Sequence, residues 1–278
     1  MKCTCGWRAA LLVLGLAVAI PQAALAHRAW LLPSATVLSG EDPWVTVDAA
    51  ISNDLFYFEH HPLRLDGLQV VGPDAAAVTP ENSSTGRYRS TFDVRLSRAG
   101  TYRIAVVGDM LLASYKLEGE TKRLRGDAAS IRKELPADAR GVQVTRNQSR
   151  VEAFVTVGKP TDEVLKAVGS GLEMVPVTHP NDLFVGDVAR FRFLLDGKPA
   201  AGVEVSVIPG GIRYRDQLAE MKLVTDAAGI VGIDWPNPGM YWLSASTGAG
   251  RGNAGPAGTF EKPARRTVYS ATLEVLPQ

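Results

Sequence analysis

The chain has 278 residues, of which 46% are hydrophobic, and a formal net charge of +1. Positive and negative residues are dispersed along it, so the charge gives no reason to expect nucleic acid or an anionic membrane as a partner. About 250 residues remain after the leader described below, which is enough to bury the core of one large domain or two ordinary ones.

The first 26 residues predict a cleavable signal peptide. A positive region precedes an apolar run over residues 9–20, and Ala24-Leu25-Ala26 supplies the small-residue cleavage pattern. The apolar run is too short for a stable membrane span. Cys3 and Cys5 both lie in this leader, so the mature chain has no cysteine. An exported chain without disulfides indicates the bacterial periplasm.

Cleavage at this site makes His27 the first residue of the mature protein. A free α-amino group has a pKa of only about 7.7–8, so it gives up its proton to a metal at modest cost. Together with the adjacent imidazole it forms a chelate. The alternative is that His27 is an ordinary surface residue that happens to come first.

Most of the remaining chain has the pattern of short β-strands. Runs rich in β-branched and aromatic residues alternate with Gly, Pro, Asn and Asp. The runs are residues 44–50, 88–96, 102–107, 111–117, 151–157, 188–195, 203–208, 221–225, 229–234, 240–246 and 268–276. Only residues 127–135 and 162–168 have helical patterns. Successive strands without intervening helices predict an all-β protein of two antiparallel, immunoglobulin-like or prealbumin-like β-sandwich domains.

The segment 53–62 concentrates chemically active side chains in the first half. It contains Asp54, Glu59, His60 and His61 among aromatic residues. If this segment is extended, Asp54 and His60 share one face, while Glu59 and His61 share the other. We therefore predict His60 and Asp54 as metal ligands beside His27. His61 precedes a proline, which favours a structural or surface role. The alternative for the histidine pair is a solvated turn at a strand end.

A break at residues 158–161, Gly-Lys-Pro-Thr, divides the mature chain into predicted domains 27–158 and 159–278. Tyr102 and Tyr241 each follow a glycine at the start of a strand, which is typical of a tyrosine corner. Residues 225–229 predict a hairpin turn with Gly229 at positive φ. The Gly- and Ala-rich residues 246–263 predict a mobile loop. The basic cluster 122–125 is interpreted as a solvated loop.

The remaining motifs do not indicate an enzyme. There is no Gly-x-Ser-x-Gly elbow, no His-Glu-x-x-His helix and no cysteine in the mature chain. His179 precedes Pro180 in a predicted turn, and it gains interest only if the fold brings it near His27. We therefore expect a protein without catalytic activity.

The chain resembles a family of exported bacterial proteins of unknown function, many of which are labelled as the periplasmic part of a nickel or cobalt uptake system. The resemblance covers essentially the whole mature chain. It is carried by residues 27–34, 52–60, 181–186 and 196–202. The second half also resembles carboxypeptidase-regulatory-like and collagen-adhesin B-type sandwiches, through the turns at residues 196–199, 225–229 and 238–241. Many members have a glutamate or an aromatic residue soon after the first histidine, where this chain has Arg28 and Ala29.

The resemblance implies metal handling through His27 and, less directly, His60. We therefore expect a periplasmic protein that binds a divalent transition metal, with nickel or cobalt first and copper open because an N-terminal histidine chelate also suits Cu(II). Its partner would be a membrane transporter or an outer-membrane receptor. The alternative is a non-catalytic binding or scaffolding module for a protein or glycan. A third interpretation, a copper oxygenase with a histidine brace, needs a second histidine and an open coordination position at His27.

Overall fold

A computed structural model describes residues 27–248 and 258–278. Within this part the chain is built almost entirely of β-strands, which confirms the predicted all-β class. The predicted signal peptide and the central part of the predicted loop 246–263 lie outside the described residues. Among the described residues, no helix has the length and apolar character needed to cross a membrane.

The strands of the first half are β1 (Arg28–Pro33), β2 (Val37–Leu38), β3 (Trp44–Ser52), β4 (His61–Pro62), β5 (Leu68–Val71), β6 (Glu81–Thr85), β7 (Ser90–Arg95), β8 (Gly100–Leu117), β9 (Glu120–Gly126) and β10 (Arg140–Val157). Helix α1 (Ala128–Glu134) separates β9 from β10. The strands of the second half are β11 (Leu172–Pro176), β12 (Val188–Leu195), β13 (Lys198–Pro199), β14 (Glu204–Pro209), β15 (Met221–Val224), β16 (Ile230–Asp234), β17 (Gly239–Gly248) and β18 (Ala264–Val275).

Three sheets make two sandwiches. A five-stranded sheet in the order β1-β3-β7-β6, with β4 beside β3, packs on the β5-β8-β10 part of a nine-stranded sheet. A four-stranded sheet of β11, β12, β13 and β16 packs on the β14-β17-β18 part of the same sheet. Alternate apolar residues of the facing strands fill each core, as the period of a strand requires. Each core therefore draws on one outer sheet and one part of the shared sheet.

The shared sheet is continuous because β10 and β18 pair in parallel, with Thr145 opposite Ala264 and Ala153 opposite Thr272. On β10, Val151 and Val155 face the first core, while Phe154 faces the second. The strand is consequently buried on both faces from Arg150 to its end. The sandwich prediction is confirmed, but β10 pairs in parallel with β18 and, over two residues, with β2, where only antiparallel pairs were expected. The domain boundary at residue 158 stays a prediction, and it follows directly on this strand.

Several local predictions are confirmed. The Tyr102 hydroxyl donates to the Arg98 carbonyl at 2.9 Å, and the Tyr241 hydroxyl donates to the Asn237 carbonyl at 2.8 Å, so both are tyrosine corners. Gly229 has the predicted positive φ, 75°, but the turn is not a hairpin, because it joins β15 of the shared sheet to β16 of the four-stranded sheet. Asp127 is the N-cap of helix α1, and its carboxylate accepts the backbone N–H groups of Ala129 and Ser130.

Other boundaries differ from prediction. The runs 102–107 and 111–117 form one strand, β8, because Gly108 and Asp109 pair across to β10 without a turn. Residues 162–168 contain only a 3₁₀ turn. The basic cluster 122–125 was predicted as a loop but lies within β9, where it pairs with β8. The loop prediction was wrong because lysine is depleted in strands and a run of cations is typical of solvated segments.

The doubly covered part of β10 carries a buried ion pair. Arg150 Nη1 donates to Glu152 Oε1 at 3.0 Å, and the Tyr269 hydroxyl of β18 donates to Glu152 Oε2 at 2.7 Å. Burial, followed by the nearby Glu152 charge, raises the pKa of Tyr269 well above its usual value, so the phenol remains a donor. The three groups satisfy one another where the two sandwiches meet.

We expect Glu152→Ala to lower the free energy of unfolding by about 3–5 kcal/mol, because it leaves the Arg150 cation buried without its partner. Urea unfolding followed by circular dichroism measures this change. Asp66→Ala is the matched control, since it breaks the fully exposed ion pair with Arg64 and should leave the midpoint unchanged. Equal midpoints for both variants would contradict the buried ion pair.

Candidate metal centre

The topology of the first sheet gathers three histidines at one end of β3. Arg28 of β1 lies opposite Ser52 on one side of β3, and His61 of β4 lies opposite Ile51 on the other side. His27 and His60, which immediately precede these two residues, therefore meet beyond the end of β3. Their ring centroids are 3.8 Å apart, and the planes are stacked at 27°.

His61 belongs to the same cluster. Its ring centroid lies 4.0 Å from that of His60, at an interplanar angle of 51°. The sequence pattern placed His60 and His61 on opposite faces of an extended segment. The structure has turns and bends between Ser52 and His61 instead, with Phe56 at a φ of 63°. Strict alternation therefore does not apply, and both rings lie together.

Glu59 organises the loop that carries His60. Its Oε1 accepts the backbone N–H groups of Asn53 at 2.7 Å and Asp54 at 3.0 Å. The Asp54 carbonyl accepts the backbone N–H of Tyr57 at 3.2 Å. This role of Glu59 was not predicted from the sequence; a carboxylate a few residues after an Asn-Asp pair is the signal that points to such a loop.

An aromatic cluster anchors this loop to the rest of the fold. The ring of Trp30 lies 5.5 Å from that of Phe56 and 5.6 Å from that of Phe58, and its Nε1 donates to Ser52 Oγ at 2.8 Å. Phe56 packs against Gly210 of the second half so closely that a Cβ there would lie 2.9 Å from the Phe56 ring. Both halves of the chain therefore hold the histidine loop in place.

The electrostatics of the cluster favour the neutral form of its central ring. Burial against its neighbours, then the positive potentials of His27 and His61, lower the pKa of His60, while Glu59 opposes these effects. A lowered pKa leaves the imidazole free of a proton, and hence able to coordinate a metal, to a more acidic pH.

Asp54, the third predicted ligand, has its clearest electrostatic relation to Arg28. Burial lowers the pKa of Arg28, and the carboxylates of Glu220 and then Asp54 oppose that shift. Arg28 Nη1 also donates to the Asn53 carbonyl at 2.7 Å. Glu59, and not Asp54, is the carboxylate that acts on the pKa of His60. The assignment of Asp54 as a ligand stays a prediction.

The donors fit a transition metal in chemical type but not in orientation. Imidazole nitrogens suit nickel, copper, zinc and cobalt, and a ring separation near 4 Å is compatible with two metal bonds of about 2 Å. The rings stack, however, and no group of three or more His, Cys, Asp or Glu side chains in the described residues is arranged to hold an ion. Coordination requires rotation of the exposed His27 ring and a free α-amine at the same residue.

His179 lies elsewhere, in a polar network between the two halves. Its Nδ1 accepts the backbone N–H of Asn181 at 3.2 Å, so its Nε2 carries the proton and donates to Thr101 Oγ1 at 2.9 Å. Thr101 Oγ1 also contacts Thr156 Oγ1 at 3.0 Å. A metal role for His179 was predicted only if the fold brings it near His27. Among the described residues, no contact of His179 is with His27.

Comparison with known proteins identifies a family and two distant structures. Residues 24–249 match the family model described as Domain of unknown function (DUF4198). The D0-D1 domain of Intimin is 9% identical with a TM-score of 0.22, over 88% of this chain and 97% of that chain. The Escherichia coli alpha-2-macroglobulin activated by porcine elastase is 11% identical with a TM-score of 0.21, over 90% of this chain and 31% of that chain. No curated protein matches.

We expect stability to fall as the pH drops below about 6.5, partly through His179. Burial is the main cause that lowers the pKa of His179, with Asp162 and Asp182 opposing it. The unfolded chain therefore takes up this proton first, so the folded state loses stability as the pH falls from the unfolded pKa towards the folded one. Urea unfolding across this range should show a shallower pH slope for His179→Gln. An unchanged slope would contradict the assignment.

Proposed function

Because this chain belongs to the family described as Domain of unknown function (DUF4198), we propose its function from its own residues: it is a periplasmic protein that captures a divalent transition metal ion. The observation that supports the proposal is the cluster of His27, His60 and His61, with ring centroids 3.8 and 4.0 Å apart. The cluster lies at the residue that becomes the N-terminus after the predicted cleavage.

The α-amine of His27 supplies a nitrogen donor that the precursor lacks. With the His27 imidazole it forms a bidentate chelate, and His60 supplies the third nitrogen because its lowered pKa favours the unprotonated ring. His61 lies near enough to replace or join His60. Coupling of metal capture to signal-peptide removal follows from this donor set, because an amide nitrogen at residue 27 is a poor ligand.

Nickel or cobalt is the proposed cargo, as the resemblance to uptake proteins implies, and a transporter or receptor would take the ion onward. Nitrogen donors bind Cu²⁺ more tightly than Ni²⁺ and Co²⁺ as a rule, so copper is expected to compete in vitro. The proposal includes no catalytic step. Failure of the metal experiments below would favour the non-catalytic binding module instead.

We expect export and trimming to give a protein that begins at His27. Intact-mass measurement of the periplasmic fraction should match the chain from His27 onward, and thiol reagents should leave this mass unchanged, since Cys3 and Cys5 are removed with the leader. Recovery of a form that retains a modified Cys3 would contradict the prediction.

We expect the processed chain to bind nickel, cobalt and copper more tightly as the pH rises through the range in which imidazole and amine lose their protons. An extra residue before His27 should weaken binding by roughly tenfold or more, because it converts the amine to an amide. His60→Ala should weaken binding to a similar degree. Titration calorimetry measures each affinity.

His179→Ala is the matched control, since it removes an imidazole whose contacts lie in the network with Thr101. It should bind as the parent does. Loss in the extended form alone would keep His27 as a ligand and remove His60. Equal affinities in all forms, or no binding of any metal, would overturn the proposal.

A further inference from the structure

A sheet extension projects from the shared sheet beyond the first core. The ends of β8 and β10, together with β9, form three adjacent strands. One side is covered by α1 and by Phe260, which pack on a small apolar cluster around Ala113 and Val144. On the other side, Ile104 and Val106 of β8 pack on the five-stranded sheet. Further along the same face of β8, the Met110 side chain is 47% exposed.

The uncovered side carries a group of cations. In the strand register Lys116 lies opposite Thr121 and Arg140, and Ser114 lies opposite Arg123. Arg125 is two residues further along β9, so it shares the side with Arg123. We call Lys116, Arg123, Arg125 and Arg140 the basic face.

The basic face contains no neutralising partner. All four of its side chains are exposed, and within the described residues none takes part in an ion pair or side-chain hydrogen bond. The remaining residues on this side of the three strands are uncharged; they are Met110, Leu112, Ser114, Thr121, Gln143, Thr145 and Asn147. The four cations are a local cluster, because the chain as a whole has a net charge of only +1.

The outer edge of β9 is also open. Strand β9 pairs with β8 and with no other strand in the described part of the chain, and its remaining backbone groups make no hydrogen bond there. An open edge is a template for an added strand, and cations on an edge commonly protect against such pairing between copies. The positive charges on this edge repel a second basic edge, but they do not repel an acidic strand.

We propose that the open edge of β9 receives an extended acidic peptide segment of a partner protein as an additional strand. An added strand lies about 4.8 Å from β9, and its alternate side chains recur at about 6.6–6.8 Å, the spacing of Arg123 and Arg125. Carboxylates at alternate positions therefore lie opposite these two guanidinium groups. Lys116 and Arg140 extend the positive potential across the next two strands.

The test uses a fluorescently labelled peptide of alternating glutamate and threonine, of about the length of the seven-residue β9. Fluorescence anisotropy at low ionic strength should detect binding to the processed chain. The double variant Arg123→Gln/Arg125→Gln should weaken binding by about fivefold to tenfold, through the loss of two cross-strand charge pairs. Circular dichroism confirms that the variant is folded.

Arg190→Gln/Arg192→Gln is the matched control. These two arginines have the same spacing on β12, but β12 is paired on both edges, by β11 and β16. The control should bind the peptide as the parent does, and a peptide N-methylated at alternate residues should not bind. Equal binding of the N-methylated peptide, equal loss in both double variants, or binding only to phosphatidylglycerol vesicles would overturn strand addition.

Discussion

Residues 145–153 of β10 pair in parallel with β18, and from Arg150 onward β10 is covered on both faces. This pair of strands joins the two sandwiches through one continuous sheet. Its cost is the burial of polar side chains that would otherwise meet water, and Arg150, Glu152 and Tyr269 offset that cost by bonding to one another. A connection of this kind holds the two cores at a fixed register, because a shift of one residue would turn Phe154, Arg150 and Glu152 from the second core towards the first.

The same pair also anchors the strand that follows His27. Strand β1 packs over β18, and the Ala29 carbonyl accepts hydrogen bonds from Trp242 Nε1 at 2.9 Å and Ser270 Oγ at 3.2 Å. His27 is two residues before this anchor. The His27 side chain can therefore rotate at the end of a short segment that is fixed at Ala29. His60, in contrast, lies in a loop that Trp30 and Glu59 hold in place. For the metal capture that we propose, the cluster supplies one adjustable donor and one fixed donor.

Local patterns predicted much of the fold and little of the site. The tyrosine corners, the turn at Gly229 and helix α1 follow from bonds between near neighbours. The parallel pair was not predictable, because Arg150 and Glu152 give β10 the alternation of a strand with one solvated face. The proximity of His27 to His60 depends on which strands flank β3, and the position of His61 depends on turns that an assumed extended segment omits.

The hydrogen bond from Ser270 to Ala29 joins residues 241 positions apart in sequence, and the contact between Thr36 and Glu274 joins residues nearly as distant. Contacts of such high sequence separation require closure of almost the whole chain before they form, which slows folding. In the export that we propose, the N-terminus crosses first and β1 emerges long before β18. The segment next to His27 must therefore wait, unpaired with its final partner, until synthesis and passage are complete. The three histidines can gather once β1, β3 and β4 have paired, but the anchor of Ala29 on Ser270 forms last.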